Sequence, residues 1–303
     1  MPLSQSLMVP ASSPRRRGLN MGIVQTLGGS LLGGFAAPLI VVALAETYNW
    51  RIAFFVAAVP GILLATYMVK AIHEPVIRHT SDRPFTSTDR DGMEHPPMGL
   101  VQVLKIRNVW LCVLICCCLF SWVIVGVTFL PLYFVNYRNM SPGDMSVLMA
   151  VLGISSALFG AFLGPGLSDR LGRKPVVIIF SLLGAITPLA VLFYHGPFAI
   201  LAAICFLGWC STGAFVLVMA TIPAESIPPR YIASVVGFTQ GVGEIAGGMT
   251  APLLAGRLAD KFDLTAPVIM MALCVITASV LACFLTETAP GKISSGDKQA
   301  GAD

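Results

Sequence analysis

Gly164-Pro165-Gly166-Leu167-Ser168-Asp169-Arg170-Leu171-Gly172-Arg173-Lys174-Pro175 joins two uninterrupted apolar runs, Ser146 to Leu167 and Val176 to Tyr194. Each run is close to the ~20 residues that a helix needs to cross a hydrocarbon core of ~30 Å. Within the turn, one carboxylate stands beside three cations. A carboxylate at a helix end can engage a neighbouring helix N-terminus or cations such as Arg170 and Arg173. Gly172 permits a tight reversal, and Pro175 suits the first turn of the next helix. A charged hinge of this kind between two spans implies a helical membrane protein.

The rest of the chain agrees. Of 303 residues, 56% are hydrophobic and 11% charged, with a mean hydropathy of +0.82, where soluble domains are about a quarter charged. Apolar runs give eight candidate spans: Leu19 to Ala45, Arg51 to Val69, Asn108 to Val135, Ser146 to Leu167, Val176 to Tyr194, Phe198 to Thr221, Tyr231 to Gly256 and Ala266 to Leu285. The runs are continuous rather than alternating, which excludes a transmembrane barrel. The net charge of +4 is too small and too dispersed for nucleic-acid binding. Ahead of the first span, Arg15, Arg16 and Arg17 precede an apolar stretch too long for the h-region of a signal peptide.

Placing the start of the chain in the cytoplasm puts all but four of the 19 Lys and Arg on that side, the exceptions being Arg51, Arg138, Arg257 and Lys261. The positive-inside bias therefore predicts two cytoplasmic termini. The eight cysteines all sit within apolar runs and form no C-x-x-C pair, so they read as small buried hydrophobes, without disulfide or metal. His73, His79 and His95 lie in the one long polar segment, where their spacing does not suit a metal.

An internal repeat organises the spans. At an offset of 215, Pro14, Arg15, Gly22, Gln25, Gly28 and Gly33 fall on Pro229, Arg230, Gly237, Gln240, Gly243 and Gly248. Omitting Gly34 then aligns Ala37-Pro38-Leu39 with Ala251-Pro252-Leu253. Both copies enter the membrane from one side, which makes the repeat parallel. The first span thus corresponds to the seventh, and the unit is six helices. The predicted organisation is two closing helices of a first bundle in 1–70, a cytoplasmic linker in 71–107, a complete six-helix bundle in 108–286 and a cytoplasmic tail in 287–303. Four helices of a twelve-helix whole are expected to precede this sequence. Gly29-x-x-x-Gly33, Gly237-x-x-x-Gly241 and Gly243-x-x-x-Gly247 are predicted sites of close helix approach, either static or sliding.

The turn from Gly164 to Pro175 resembles the signature of the major facilitator superfamily, G-x-L-x-D-R-x-G-R-K, between the second and third helices of each half. It falls between those helices of the complete half here. One departure, Pro165 in place of glycine, leaves the closeness of packing at that position open. Asn49-Trp50-Arg51 with Phe54, the run Phe129-Leu130-Pro131-Leu132-Tyr133, and Pro10 with Pro14-Arg15 resemble anion:cation symporter or spinster-like members. The resemblance implies an all-α polytopic fold, alternating access, and a charge latch made by Asp169, Arg170, Gly172, Arg173 and Lys174.

Within the spans, Glu244 is the one acid placed at mid-depth. An ionisable group there costs ~2.5 kcal/mol or more, so it should face protein or water, or be protonated. It shares a helical face with Gln240, one turn away. Glu244, Gln240, Gln25, Tyr133, Asn136 and Trp209 are the candidate residues for binding solute or proton, with Tyr137, Ser155, Ser156 and Trp122 as further cavity candidates. The sequence thus reads as a proton-coupled secondary transporter of a small solute, with an organic anion among the candidates, in a bacterial inner membrane and without cofactor. A drug efflux pump and a membrane binding or sensing protein that does not transport remain open, whereas no H-E-x-x-H, G-x-S-x-G or intramembrane Asp pair supports an enzyme. Replacement of Glu244 by Gln is expected to abolish pH-dependent uptake in proteoliposomes; unchanged coupled transport would refute its assignment.

Overall fold

The computed structural model describes residues 12, 16–71, 106–228 and 231–289. The connection from residue 72 to 105, with its three histidines, lies outside them, as do Pro14, Arg15, Pro229, Arg230 and the tail from residue 290. The described residues form long rods: α1 (Gly18–Thr47), α2 (Trp50–Ala71), α3 (Arg107–Tyr137), α4 (Pro142–Leu171), α5 (Arg173–Phe193), α6 (Phe198–Glu225), α7 (Ile232–Gly243, Glu244–Met249 and Thr250–Lys261 in series) and α8 (Thr265–Ala282). Seven of these are long and apolar enough to cross a membrane. The eighth predicted span, Tyr231 to Gly256, forms the helical rod α7, but its glycines, with Gln240 and Glu244, leave it short of that apolarity.

Local chemistry places the rod ends where the turn residues lie. Ser141 caps α4 by accepting from the Asp144 N–H at 3.0 Å, and Pro142 occupies the first turn. The preceding turn holds Asn139 at φ 53°, a left-handed conformation that Asn tolerates. At the other end of α4, Gly172 takes φ 110° between α4 and α5. There a Cβ would sit 2.5 Å from Glu287 Oε2, so both conformation and space require glycine. Nearby, Asn108 at the start of α3 donates to Ser226 Oγ and accepts from the Thr286 N–H and hydroxyl. That side chain ties α3, the end of α6 and the chain beyond α8 together.

The bundle buries α3, α4, α5, α6 and α8 around Trp122, Trp209, Phe134, Leu119 and Met271. By contrast, α2 packs against α1 alone among pairs of substantial contact, and Phe54, Phe55 and Tyr67 stay exposed. Both repeat copies share one irregularity. Gly29–Ala36 in α1 and Glu244–Met249 in α7 are π-helical, and their first residues stand at the offset of 215. Widened turns of this kind leave a helix less tightly bonded and often accompany functional sites.

α1 crosses α4 antiparallel along a line of small residues. A Cβ on Gly18 would meet Asp169 and the Pro165 carbonyl, and one on Gly22 would lie 2.5 Å from Pro165 Cγ. Further along, Gly160 faces Thr26 and Gly153 faces Gly34, where an added Cβ would come within 2.1 Å of the Gly34 carbonyl carbon. Pro165 therefore keeps its close contact because Gly22 on the opposite helix yields the room. The predicted glycine pairs divide. Gly243 and Gly247 press on Cys116, Cys117 and Phe120 of α3, whereas a Cβ on Gly29, Gly33 or Gly241 would have nothing within 4 Å. The Gly29-x-x-x-Gly33 pair is thus not a helix contact; Gly18, Gly22 and Gly34 perform that role on an adjacent face.

Gly153→Ala is expected to destabilise the protein by about 1–3 kcal/mol, because backbone of α1 has no room to retreat without losing its other contacts. Gly28→Ala, at a position with open space, is expected to leave stability within about 0.5 kcal/mol. Thermal unfolding of the two variants in detergent checks the difference, and equal midpoints would rule out the close crossing.

Candidate functional site

Two features lie where α1 meets α4: an ion cluster at one end of the rods and a cavity toward the other. In the cluster, α4 and α5 hold Asp169 and Arg173 one helical turn apart in sequence, on either side of the Gly172 reversal. The Arg173 side chain is only 1% exposed. Its Nη1 donates to Asp169 Oδ1 at 2.5 Å and to Ser168 Oγ at 2.7 Å. On its other edge, Nη2 and Nε donate to the two oxygens of Glu225 at 2.9 and 3.1 Å, a bidentate pair from the end of α6.

One guanidinium cannot neutralise three carboxylates, and backbone dipoles carry the remainder. Asp169 accepts from the N–H groups of Gly18 and Leu19 at 3.2 and 3.1 Å, in the opening turn of α1. Glu287, just beyond α8, accepts from the N–H groups of Arg173 and Lys174 in the opening turn of α5, at 2.7 and 3.2 Å. Helix N-termini are positively polarised and supply such donors ready oriented. The Thr288 hydroxyl completes the cluster by donating to Glu225 Oε2 at 3.0 Å. Removing one partner from a buried ion group of this kind leaves an uncompensated charge, at a cost of about 3–5 kcal/mol.

The five latch residues predicted from sequence have different placements. Asp169, Gly172 and Arg173 form the centre of the cluster, Lys174 contributes its backbone N–H, and Arg170 is exposed. Glu225 and Glu287 are essential members that the motif does not contain. Their signal is positional, since each is an acid at a span terminus on the same end of the bundle as Asp169.

Toward the opposite end, α1, α3, α4 and α6 enclose a cavity of about 450 Å³, within the size range of small-molecule sites. Gly29, Ser30, Gly33, Gly34, Pro38 and Val42 form one wall; Val123, Val127, Pro131, Met145, Met149, Leu152, Gly153 and Ser156 form the other, and Trp209 lies at the base. The absent side chains of Gly29 and Gly33 are what make space. Trp209 donates from Nε1 to Ser156 Oγ at 2.9 Å and stacks on Trp122 with ring centroids 4.4 Å apart. Gly126 accepts the far edge of the Trp209 ring, which leaves no room for a Cβ.

Of the six residues predicted to bind solute or proton, Trp209 alone lines the cavity. Tyr133 is buried between α3 and α5, its hydroxyl reaching the Val191 carbonyl at 3.4 Å and its ring stacked on Tyr137. Asn136 is exposed beyond it. The Gln25 amide donates to Met219 Sδ at 3.8 Å, so it faces α6, and Gln240 is buried in α7. Glu244 lies on an exposed face of α7, outside the cavity lining. Ser155 turns away to the Phe206 carbonyl, whereas its neighbour Ser156 faces the cavity. Ser30, Met145 and Met149 line the cavity without a sequence signal, because nothing in a single apolar run distinguishes a wall residue from its neighbours.

Several transporters resemble this chain along most of its length. The glycine betaine/proline/ectoine/pipecolic acid transporter OusA of Dickeya dadantii is 26% identical over 302 residues, covering 94% of this chain and 59% of its own length. The glucose-6-phosphate exchanger SLC37A2 of Xenopus laevis is 27% identical over 81% of this chain and 57% of its own length. The cis,cis-muconate transport protein of Acinetobacter baylyi is 25% identical over 93% of this chain and 67% of its own. The chain therefore spans little more than half the length of the first two. The Major Facilitator Superfamily model matches residues 1–166 and again 127–302, and the chain, with its buried Asp169–Arg173 turn and all-helical bundle, belongs to that family.

Proposed function

We propose that this chain acts as a secondary transporter that moves a small solute by alternating access. The supporting observation is that one continuous α1–α4 contact carries an ion cluster at one end and borders a cavity toward the other. At one end, Asp169 caps α1 and the cluster around Arg173 locks α4, α5, α6 and the segment after α8 together. Toward the other, the same two helices remain packed through the Gly34–Gly153 crossing, and the cavity lies beside them against α3 and α6. We read the arrangement as the state latched at the cluster, one of the two that alternating access requires. In this reading the cluster end is cytoplasmic, residues 1–70 close a first bundle, 71–107 link the bundles, and 108–286 are the second. The coupling ion is H⁺, and Glu244 on α7 is the residue assigned to bind it.

The solute follows from the lining. No Lys, Arg, Asp or Glu is among the described wall residues; the polar groups are Ser30, Ser156 and the Trp209 indole. A dicarboxylate entering this wall would lose hydration without gaining a cation. A zwitterion with a methylated ammonium group is better matched, because an indole attracts such a cation without a formal charge. Glycine betaine, carried by a relative, is thus favoured over muconate, carried by another.

Counterflow of glycine betaine into proteoliposomes is the direct test: saturable exchange supports transport, and a folded chain that binds betaine without translocating it refutes transport. Trp209→Phe is expected to raise the KM for betaine by about three- to tenfold while leaving the folded fraction unchanged. Asp169→Asn and Gly18→Ala both weaken the cluster without touching the cavity. Each is expected to slow exchange by about tenfold at an unaltered betaine affinity, corresponding to loss of a charge-assisted bond. Exchange at the full rate in both would refute the latch.

A further inference from the structure

At the end of the bundle opposite the ion cluster, a second cavity of about 420 Å³ opens to the surface between the α3–α4 turn and the α5–α6 turn. Its lining includes Arg138, His195, Tyr137 and Phe198. Arg138 is anchored by one bond, Nη2 to the Tyr194 carbonyl at 2.6 Å, and has no carboxylate partner among the described residues. The acid of the adjoining turn, Asp144, is held by Ser141 at 2.8 Å. His195 adds a ring nitrogen directed to the Phe193 carbonyl. α6 begins at Phe198 with Pro197 before it and no side-chain cap, so its first N–H groups add positive polarity beside the guanidinium. The cavity thus gathers cationic and N–H groups with no counter-charge among the described residues.

A third cavity, of about 370 Å³, adjoins it along the bundle surface. It is an apolar groove between α5 and the first half of α6, lined by Ile186, Leu189, Ala190, Phe193, Tyr194 and Ile204. Tyr194 joins the two, since its carbonyl anchors Arg138 while the residue lines the groove. Leu201 of the polar cavity and Ile204 of the groove are likewise neighbours, one turn apart on α6. Leu189 and Phe193 are 45% and 74% exposed, on the outer surface that a bilayer covers. A cationic cavity at the end of the rods, continued inward by an apolar groove, has the shape and polarity of a phospholipid: head at the interface, chain along the helices.

We propose that this is a binding site for a phospholipid with an anionic headgroup, its phosphate on Arg138 and His195 and one acyl chain between α5 and α6. The site is separate from the solute cavity and involves none of its residues. Native mass spectrometry of the full chain in detergent, titrated with phosphatidylglycerol or phosphatidylcholine, tests it. Phosphatidylglycerol should be retained about tenfold more tightly, because the choline cation of the other lipid offsets its phosphate charge beside Arg138. Arg138→Gln should abolish the preference and Arg138→Lys preserve most of it. Leu189→Trp, at an exposed position, fills the groove and should weaken retention of either lipid. Equal retention of the two lipids, or a preference unchanged in Arg138→Gln, overturns the proposal. So does displacement of the lipid by millimolar inorganic phosphate alone with Leu189→Trp having no effect, which identifies a site for a free anion instead.

Discussion

The conformation of this bundle depends on a single buried guanidinium. Arg173 can remain charged at 1% exposure because two carboxylates and a serine hydroxyl saturate its donors. Those carboxylates are acceptable in turn because helix ends and further hydroxyls share their charge. Its members come from five segments: α1, α4, α5, α6 and the chain after α8. The whole network is satisfied only when all five ends come together, which makes closure at this end cooperative. A buried ion group is weak evidence for net stability, because desolvation offsets most of the attraction. Its value is discrimination, since displacement of α1 takes two N–H donors from Asp169.

The long contact between α1 and α4 follows a different logic. Glycine and threonine against glycine, alanine and proline give a smooth interface with little side-chain interlock. Attraction there is dispersion between closely approaching backbones, as is usual in membranes, where lipid is as apolar as the helices. Such a surface resists separation more than it resists rotation or sliding. The same scarcity of side chains, carried one face further round α1, leaves Gly29 and Gly33 without neighbours and turns the contact into a cavity wall. Contact and cavity are alternate faces of one glycine-rich helix.

Most of the architecture was legible in the sequence because bilayer crossing has a strong signature: uninterrupted apolar length, and charge confined to turns. The Gly164–Pro175 turn was legible as well, since it combines residue types that only a tight charged reversal requires. The cavity was not. Trp209 and Tyr133 are both aromatic, both near span centres or ends, and both 2% exposed. One borders the cavity and the other is held between α3 and α5, a difference set by helix rotation rather than composition. Glu225 and Glu287 escaped the motif for a related reason: they are distant in sequence and meet Arg173 only because α6 and α8 end at the same level. Glu244 drew attention by its depth, yet depth along a helix does not determine which face it occupies.

The two kinds of contact together explain how a change at the cluster can reach the cavity. Asp169, Gly160, Ser156 and Gly153 all lie on α4, and the stretch from Ser156 to Leu163 between them is π-helical. α1 carries its own π-helical stretches, Ile23–Leu27 and Gly29–Ala36, the second of them in the cavity wall. When Asp169 releases the N-terminus of α1, the smooth interface offers little to hold the helices in register, and the widened turns are where each rod can bend at least cost. In the proposed cycle the Gly34–Gly153 crossing, with no slack for even a methyl group, is the fulcrum, so that parting at the cluster end would narrow the space around Pro38, Val42 and Met145. Within that proposed cycle the cluster determines which of two arrangements is held, and the glycines keep the path between them shallow. Neither would suffice alone: without the cluster the proposed transporter would have no preferred state, and without the glycine seam it would have only one.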